Sequence, residues 1–257
     1  MTAAEQWIAF VTIVRKEVRR FLRIWMQTLL PPAITMSLYF VIFGTLIGSR
    51  IGTMGGFTYM EFVVPGLIMM AVITNAYSNV VSSFFGAKFQ RFVEEILVSP
   101  MSNNTVLWGF VLGGVARGLL VGLIVTLLSL FFTDLNIQHI GVTITIVLMT
   151  SVMFSLAGFI NAVFANNFDD VSIVPVFVLT PLTYLGGVFY SIDMLPEFWA
   201  DVSRLNPMLY IVNAFRYGVL GVSDVNIGVA FAMVGVFTVL AYAYCMYLLR
   251  SGTRLRQ

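Results

Sequence analysis

The chain has 257 residues, 59% of them hydrophobic and 10% charged, with a formal net charge of +2. Soluble domains are about 45–50% apolar and about 25% charged, so the composition excludes a soluble protein and predicts an integral membrane protein. One cysteine, Cys245, and one histidine, His139, exclude an intramolecular disulfide and a Cys- or His-rich metal cluster.

Residues 1–24 carry Trp7, Phe10, Val11, Val14, Val18 and Phe21 at helical spacing, with Trp25 next in the series. Arg15, Lys16, Arg19, Arg20 and Arg23 take much of the remaining surface. This pattern predicts an amphipathic helix along the membrane surface, its bases towards lipid headgroups. The bases also interrupt the first apolar run, and no small-residue cleavage site follows it, which argues against a signal peptide.

A membrane span needs about 20 apolar residues. Six stretches qualify: Trp25–Gly48, Phe62–Phe85, Val106–Phe132, Ile140–Phe164, Val171–Tyr190 and Ile227–Leu249. Pro31-Pro32 predicts a kink early in the first. The second has one polar face, with Asn75, Ser78, Asn79 and Ser82 at i, i+3, i+4 and i+7. Beyond it, Ala87–Met101 reads as a short charged helix. Phe89, Phe92, Val93, Ile96 and Leu97 share one face, and Lys88, Arg91, Glu94 and Glu95 lie on the rest. Ser99-Pro100 ends it. In the third span, Gly114, Gly118 and Gly122 stand in GxxxG register, which predicts close helix packing. Arg117, the one charge deep in a span, is expected to face protein as a structural arginine, either snorkelling to the cytoplasmic side or bonded to carbonyls, with a functional cation site as the alternative. The fifth span has Thr180, Tyr184 and Gly187 on one face, bent by Pro175 and Pro181. Ser191–Asn226 is too interrupted to span and predicts one or two short re-entrant helices, one of them starting at Pro207 and ending near Leu220.

Basic residues set the orientation. Ten (Arg15, Lys16, Arg19, Arg20, Arg23, Lys88, Arg91, Arg250, Arg254 and Arg256) fall on one side and three (Arg50, Arg204 and Arg216) on the other. Both termini and the Ala87–Met101 helix are therefore expected in the cytoplasm.

The sequence lacks several active-transport devices. It has no GxxxxGK[ST] loop, since its only lysines are Lys16 in RKE and Lys88 in AKF. No carboxylate falls inside a span to relay protons, and no nucleophile–base pair is visible. If the protein transports actively, the energy has to come from another polypeptide.

The segments PGLIMM (Pro65–Met70), EEILVSP (Glu94–Pro100), PLTYLGGVFY (Pro181–Tyr190) and LNPMLYIVNAFRYG (Leu205–Gly218), in this order and spacing, resemble the permease subunits of bacterial type-two ATP-binding-cassette exporters. The resemblance covers nearly the whole length. It implies an all-α membrane protein forming one domain over 1–257: an N-terminal interfacial helix (1–24), six transmembrane helices within 25–250, a cytoplasmic coupling helix after span two, short re-entrant helices before span six, and a cytoplasmic tail (251–257). It further implies a homodimer in the bacterial inner membrane, in contact with lipid and with two copies of a separate ATPase that holds ATP and magnesium. The chain itself is then no enzyme, binds no cofactor and contacts no nucleic acid.

The ATPase-docking residues implied are Lys88, Phe89, Arg91, Phe92, Glu94, Glu95, Ile96 and Pro100. The substrate route implied is Asn75, Asn79, Ser82, Thr180 and Tyr184. The expected cargo is an amphipathic or lipid-linked molecule or a drug, with polysaccharide or lipo-oligosaccharide as the rival within the family. An unpowered channel or lipid scramblase would use the same polar faces without an ATPase. A membrane scaffold would use only the cytoplasmic helix.

Overall fold

The computed structural model describes residues 1–252; Arg254, Arg256 and most of the expected tail lie outside the described residues. Helix α1 (Ala3–Arg23) begins with a reciprocal cap: the Thr2 hydroxyl accepts the Glu5 N–H, and the Glu5 carboxylate accepts the Thr2 N–H. Glu17 and Phe21 lie on its buried face, while Trp7, Ile8 and Leu22 are exposed. The first apolar run follows as α2 (Trp25–Thr28), α3 (Leu30–Tyr39), a π-helical stretch (Phe40–Ile47) and α4 (Gly48–Ile51). The expected kink is a break at Leu29. Pro31 and Pro32 open α3, where their missing N–H groups cost no helix bond.

A two-residue-per-strand hairpin, β1 (Thr53–Met54) with β2 (Phe57–Thr58), turns through Gly55 and Gly56 at positive φ and delivers the chain into α5 (Tyr59–Phe89). A second reciprocal cap, Thr58 with Glu61, starts α5. Next come α6 (Phe92–Val98), α7 (Asn103–Ser129), α8 (Ile140–Phe164), α9 (Phe168–Val174), a π-helical stretch (Pro175–Leu179) and α10 (Thr180–Tyr184). The chain ends with a 3-10 turn (Ile192–Met194), α11 (Glu197–Arg204), α12 (Pro207–Leu220) and α13 (Ile227–Ser251).

Among the described residues five helical runs are long and apolar enough to cross a membrane: Trp25–Ile51, α5, α7, α8 and α13. The expected span Val171–Tyr190 differs. It is three helical pieces of seven, five and five residues, ending at Tyr184. At about 1.5 Å per residue this run is shorter than the ~30 Å bilayer core. Pro175 and Pro181 begin its second piece and the second position of its third. They withdraw ladder donors, and the wider π turns absorb the mismatch.

Helix α5 is the axis of the bundle. Of its most apolar window 83% is buried, against 12% for Trp25–Ile51 and 22% for α13. It packs on α7, α8 and α12; α13 covers α8 and α12, and α1 lies along α7. Glycines permit the tight crossings. A Cβ on Gly118 would lie 2.9 Å from Ala76 Cβ, and one on Gly122 2.7 Å from Val72 Cγ2, so the GxxxG face of α7 sits directly on α5.

The non-spanning region holds α12 as expected, with Pro207 at its first position and Leu220 at its last. Its Arg216, counted from the sequence among the outer bases, is fully buried instead. Its Nη2 donates to Gly187 O at 2.6 Å and its Nε to Phe62 O at 3.3 Å, and its guanidinium lies 3.8 Å from the Phe62 ring centroid. One side chain thus joins α12, the start of α5 and the turn after α10.

Candidate functional site

The expected docking helix sits at the corner between α5 and α7, but not as one continuous helix. Helix α5 closes with Gln90 N–H on Gly86 O and Arg91 N–H on Lys88 O. Arg91 adopts a left-handed φ of 64°, and α6 restarts at Phe92 in a new direction. The apolar periodicity seen in the sequence therefore joins two helices. Val93 is buried, Ile96 and Leu97 pack on the core, and Phe89 and Phe92 remain half exposed at 52% and 51%. Arg91, Glu95 and Pro100 are exposed, and Glu94 is partly covered.

Both flanks of the corner are pinned. At the exit, Gln6 of α1 donates to Pro100 O and accepts from Ser102 N–H and the Thr105 hydroxyl. At the entrance Lys88, expected on the surface, is only 3% exposed. Its Nζ donates to Val163 O at 2.6 Å and to Ala165 O at 2.8 Å. These carbonyls end α8, where partial negative charge accumulates and acceptors lack helical donors. Lys88 thus caps α8 through tertiary contact, which local spacing does not reveal. Replacing Lys88 with methionine leaves both carbonyls without its charge and is expected to cost about 1–3 kcal/mol. A lowered melting temperature, partly restored by Lys88→Arg, checks this; unchanged melting refutes it.

The corner is also tied to α9. The Phe168 ring lies 5.0 Å from Phe85 and 5.0 Å from Phe89. Asn167 caps α9 by accepting the Asp170 N–H, and the Asp170 carboxylate accepts the Asn166 N–H at 2.9 Å.

The expected route residues separate into two groups. Asn75 and Asn79 are buried at 4% and 0%, enclosed by α1, α2 and α7 within this one chain. Arg20 Nη2 donates to both Asn79 O and Asn79 Oδ1 at 2.9 Å, and its Nε lies 3.4 Å from Glu17 Oε2. Arg117 faces protein as expected, donating to Asn75 Oδ1 at 3.0 Å and Thr28 O at 3.2 Å. The fully buried Glu17 was missed from sequence because it looked like one charge among many on α1. Gly113 makes room for it: a Cβ there would stand 2.5 Å from Glu17 Cβ. Ser82, Thr180 and Tyr184 are exposed. Tyr184 belongs to an aromatic group in which Phe189 lies 5.8 Å from Tyr184, 4.5 Å from Phe43 and 6.4 Å from Tyr39. Within one chain, therefore, Asn75 and Asn79 of α5 bind neighbouring helices, while Ser82 and the polar face of the Phe168–Tyr184 run are left open. Among the described residues no group of three or more His, Cys, Asp or Glu converges as for a metal.

Comparison with known proteins agrees with this architecture. Residues 8–220 match the family described as ABC-2 type transporter. The chain is 59% identical over 251 residues to the inner membrane transport permease YadH of Escherichia coli (strain K12), covering 97% of this chain and 98% of that protein. It is 20% identical over 208 residues to nodulation protein J of Rhizobium leguminosarum bv. viciae, covering 80% of each. Against nodulation protein J of Rhizobium meliloti (strain 1021) it is 19% identical over 208 residues, covering 80% of this chain and 79% of that protein. A bundle of apolar helices around α5, matched over nearly its whole length by a transport permease, means that the chain belongs to the ABC-2 type transporter family as a multi-pass inner-membrane permease component.

Proposed function

We propose that the chain is the permease half of an ATP-driven exporter that moves an amphipathic or lipid-linked molecule outward. Two copies form the membrane unit, and two separate ATPase subunits bind ATP and magnesium and dock on the cytoplasmic side, where both termini lie. The Phe168–Tyr184 run serves as the remaining span, giving six; its length, short of the bilayer core, is met by local thinning of the bilayer, and its open face is completed by the second copy. Thr180 and Tyr184 face the shared route with Ser82 near its cytoplasmic end, while Asn75 and Asn79 position α1 and α7 around it.

The observation carrying this reading is the pinned corner at α6. A short helix with half-exposed Phe89 and Phe92 and an exposed Glu95 is fixed on one side by Lys88 and on the other by Gln6. A partner pushing on such a corner moves α5, α8 and α1 together rather than bending a free loop. The docking surface is accordingly Phe89, Arg91, Phe92, Glu94, Glu95 and Pro100. Ile96 supports α6 from beneath and Lys88 anchors it from within. The exposed apolar faces of Trp25–Ile51 (Ile34, Leu38 and Leu46) and of the Phe168–Tyr184 run (Val176 and Phe177) support a second copy packed between them in lipid.

Charge reversal at Glu95 tests the docking. Glu95→Lys is expected to weaken recovery of the ATPase with the permease by about tenfold, without change in permease yield, since Glu95 is exposed. Full assembly and undiminished transport by the variant would remove α6 from the interface.

A further inference from the structure

Between α1, the end of α5 and the start of α6 lies a crevice of about 260 Å³ whose polar wall is Lys16, Arg20, Ser82, Ser83 and Gln90. The space exists because residue 86 is glycine: a Cβ there would meet nothing within 4 Å. Glycine inside a helix is less stable than alanine, so this notch in α5 carries a cost that no packing contact explains.

The electrostatics of the crevice favour an anion. Lys16 and Arg20 face one buried carboxylate, Glu17, which lies 3.4 Å from Arg20 Nε and 4.0 Å from Lys16 Nζ. Two cations against one anion leave a net positive charge. Arg20 is held in place, its Nε on Glu17 and its Nη2 on Asn79, so that it is oriented before any ligand arrives. Lys16 is 56% exposed, with its Nζ 5.8 Å from the Phe110 ring centroid, and as a three-donor ammonium it has a donor to spare for a ligand. The rest of the wall is apolar, from Ala87 and the half-exposed Phe92. A ligand both anionic and hydrocarbon-bearing satisfies both parts.

We propose that this crevice binds the phosphate of an anionic membrane lipid, seated on Lys16, Arg20 and Gln90 in the space left by Gly86. Because Phe92 of α6 forms part of the same wall, the bound headgroup touches the first residue of the corner helix. The leaflet from which the lipid comes rests on the orientation proposed above. Binding itself does not, because it is measured on solubilised permease without any ATPase.

The test is native mass spectrometry of the detergent-purified chain titrated with phosphatidylglycerol, with phosphatidylcholine and, separately, with inorganic phosphate. Phosphatidylglycerol is expected to bind at least about fivefold more tightly than phosphatidylcholine, and Lys16→Gln to lose about the same factor, the weight of one basic group at an anionic surface. Gly86→Leu, whose Cβ would meet nothing within 4 Å, is expected to fill the notch and abolish this binding while leaving the melting temperature equal to or above that of the parent. Equal binding of the two lipids, or undiminished phosphatidylglycerol binding by Gly86→Leu, overturns the proposal. So does inorganic phosphate that binds as tightly as phosphatidylglycerol, because the crevice then reads a free anion and not a lipid.

Discussion

Arg216→Met is expected to lower the stability of the purified permease by about 2–3 kcal/mol. The guanidinium is fully buried and holds Gly187 O at 2.6 Å, Phe62 O at 3.3 Å and the face of Phe62 at 3.8 Å. Methionine fills much of the volume but donates nothing. Gly187 O sits in a turn where residue 187 has a φ of 71°, and it loses the donor described for it; an orphaned buried acceptor costs about 1–3 kcal/mol. A desolvated cation–π contact contributes about 2 kcal/mol more. Against this, removing the charge recovers part of the penalty for burying a guanidinium whose direct hydrogen-bond partners are neutral carbonyls, Asp224 being the nearby carboxylate that offsets it. The hydrogen bonds and the ring contact outweigh that recovery because they join three separate segments. Thermal unfolding in detergent reads the effect directly. Arg216→Lys is expected to be only a partial rescue, since an ammonium cannot lie flat on Phe62 while reaching both carbonyls. Unchanged melting of Arg216→Met would show that the three segments are held by something else.

Gly114→Leu is expected to be more damaging still, at about 3 kcal/mol or more, the upper end for overpacking. Gly114 stands where α7 meets α5 and α8 together. A Cβ alone would collide with Ser155 Oγ, with Val80 Cγ2 at 2.5 Å and with Ala76 O at 2.8 Å. Ser155 and Val80 could rotate, but Ala76 O is backbone of the central helix and moves only if the helices part. The measurement is the fraction of extracted protein that elutes as a single species, followed by its melting temperature. Gly114→Ala keeps the test readable if the leucine variant fails to assemble, because its smaller clash is expected to give folded protein that melts earlier. Gly141→Leu serves as the comparison, since nothing lies within 4 Å of a Cβ there and near-parental behaviour is expected. Equal behaviour of the Gly114 and Gly141 leucine variants would mean that α7 does not rest on α5 and α8 as described.

Much of the architecture was legible because hydropathy acts locally. Apolar runs marked five of the six expected spans. The amphipathic helix α1, the helix from Pro207 to Leu220 and the GxxxG crossing were likewise written in spacing, which the 3.6-residue turn converts directly into faces. The expected span Val171–Tyr190 was misjudged in extent because hydropathy counts Gly186, Gly187 and Val188 as apolar while the backbone turns away after Tyr184.

Charged residues divided differently. From sequence, a lysine or arginine beside a loop reads as surface, as Lys88 and Arg216 do, and nothing in the local pattern singles out Glu17. What buries each is a partner distant in the chain: Val163 and Ala165 for Lys88, Gly187 and Phe62 for Arg216, and the space at Gly113 for Glu17. Asn75 and Asn79 show the converse. Their shared face was legible, but whether it meets water, cargo or another helix depended on Arg20 and Arg117 reaching it. The sequence by itself determined membrane residence and the helix order, because these follow from transfer free energy and local periodicity, and its motifs carried the resemblance to the family. Only the tertiary structure decided which polar groups are exposed and which are anchors, because burial is a property of contacts made across the fold.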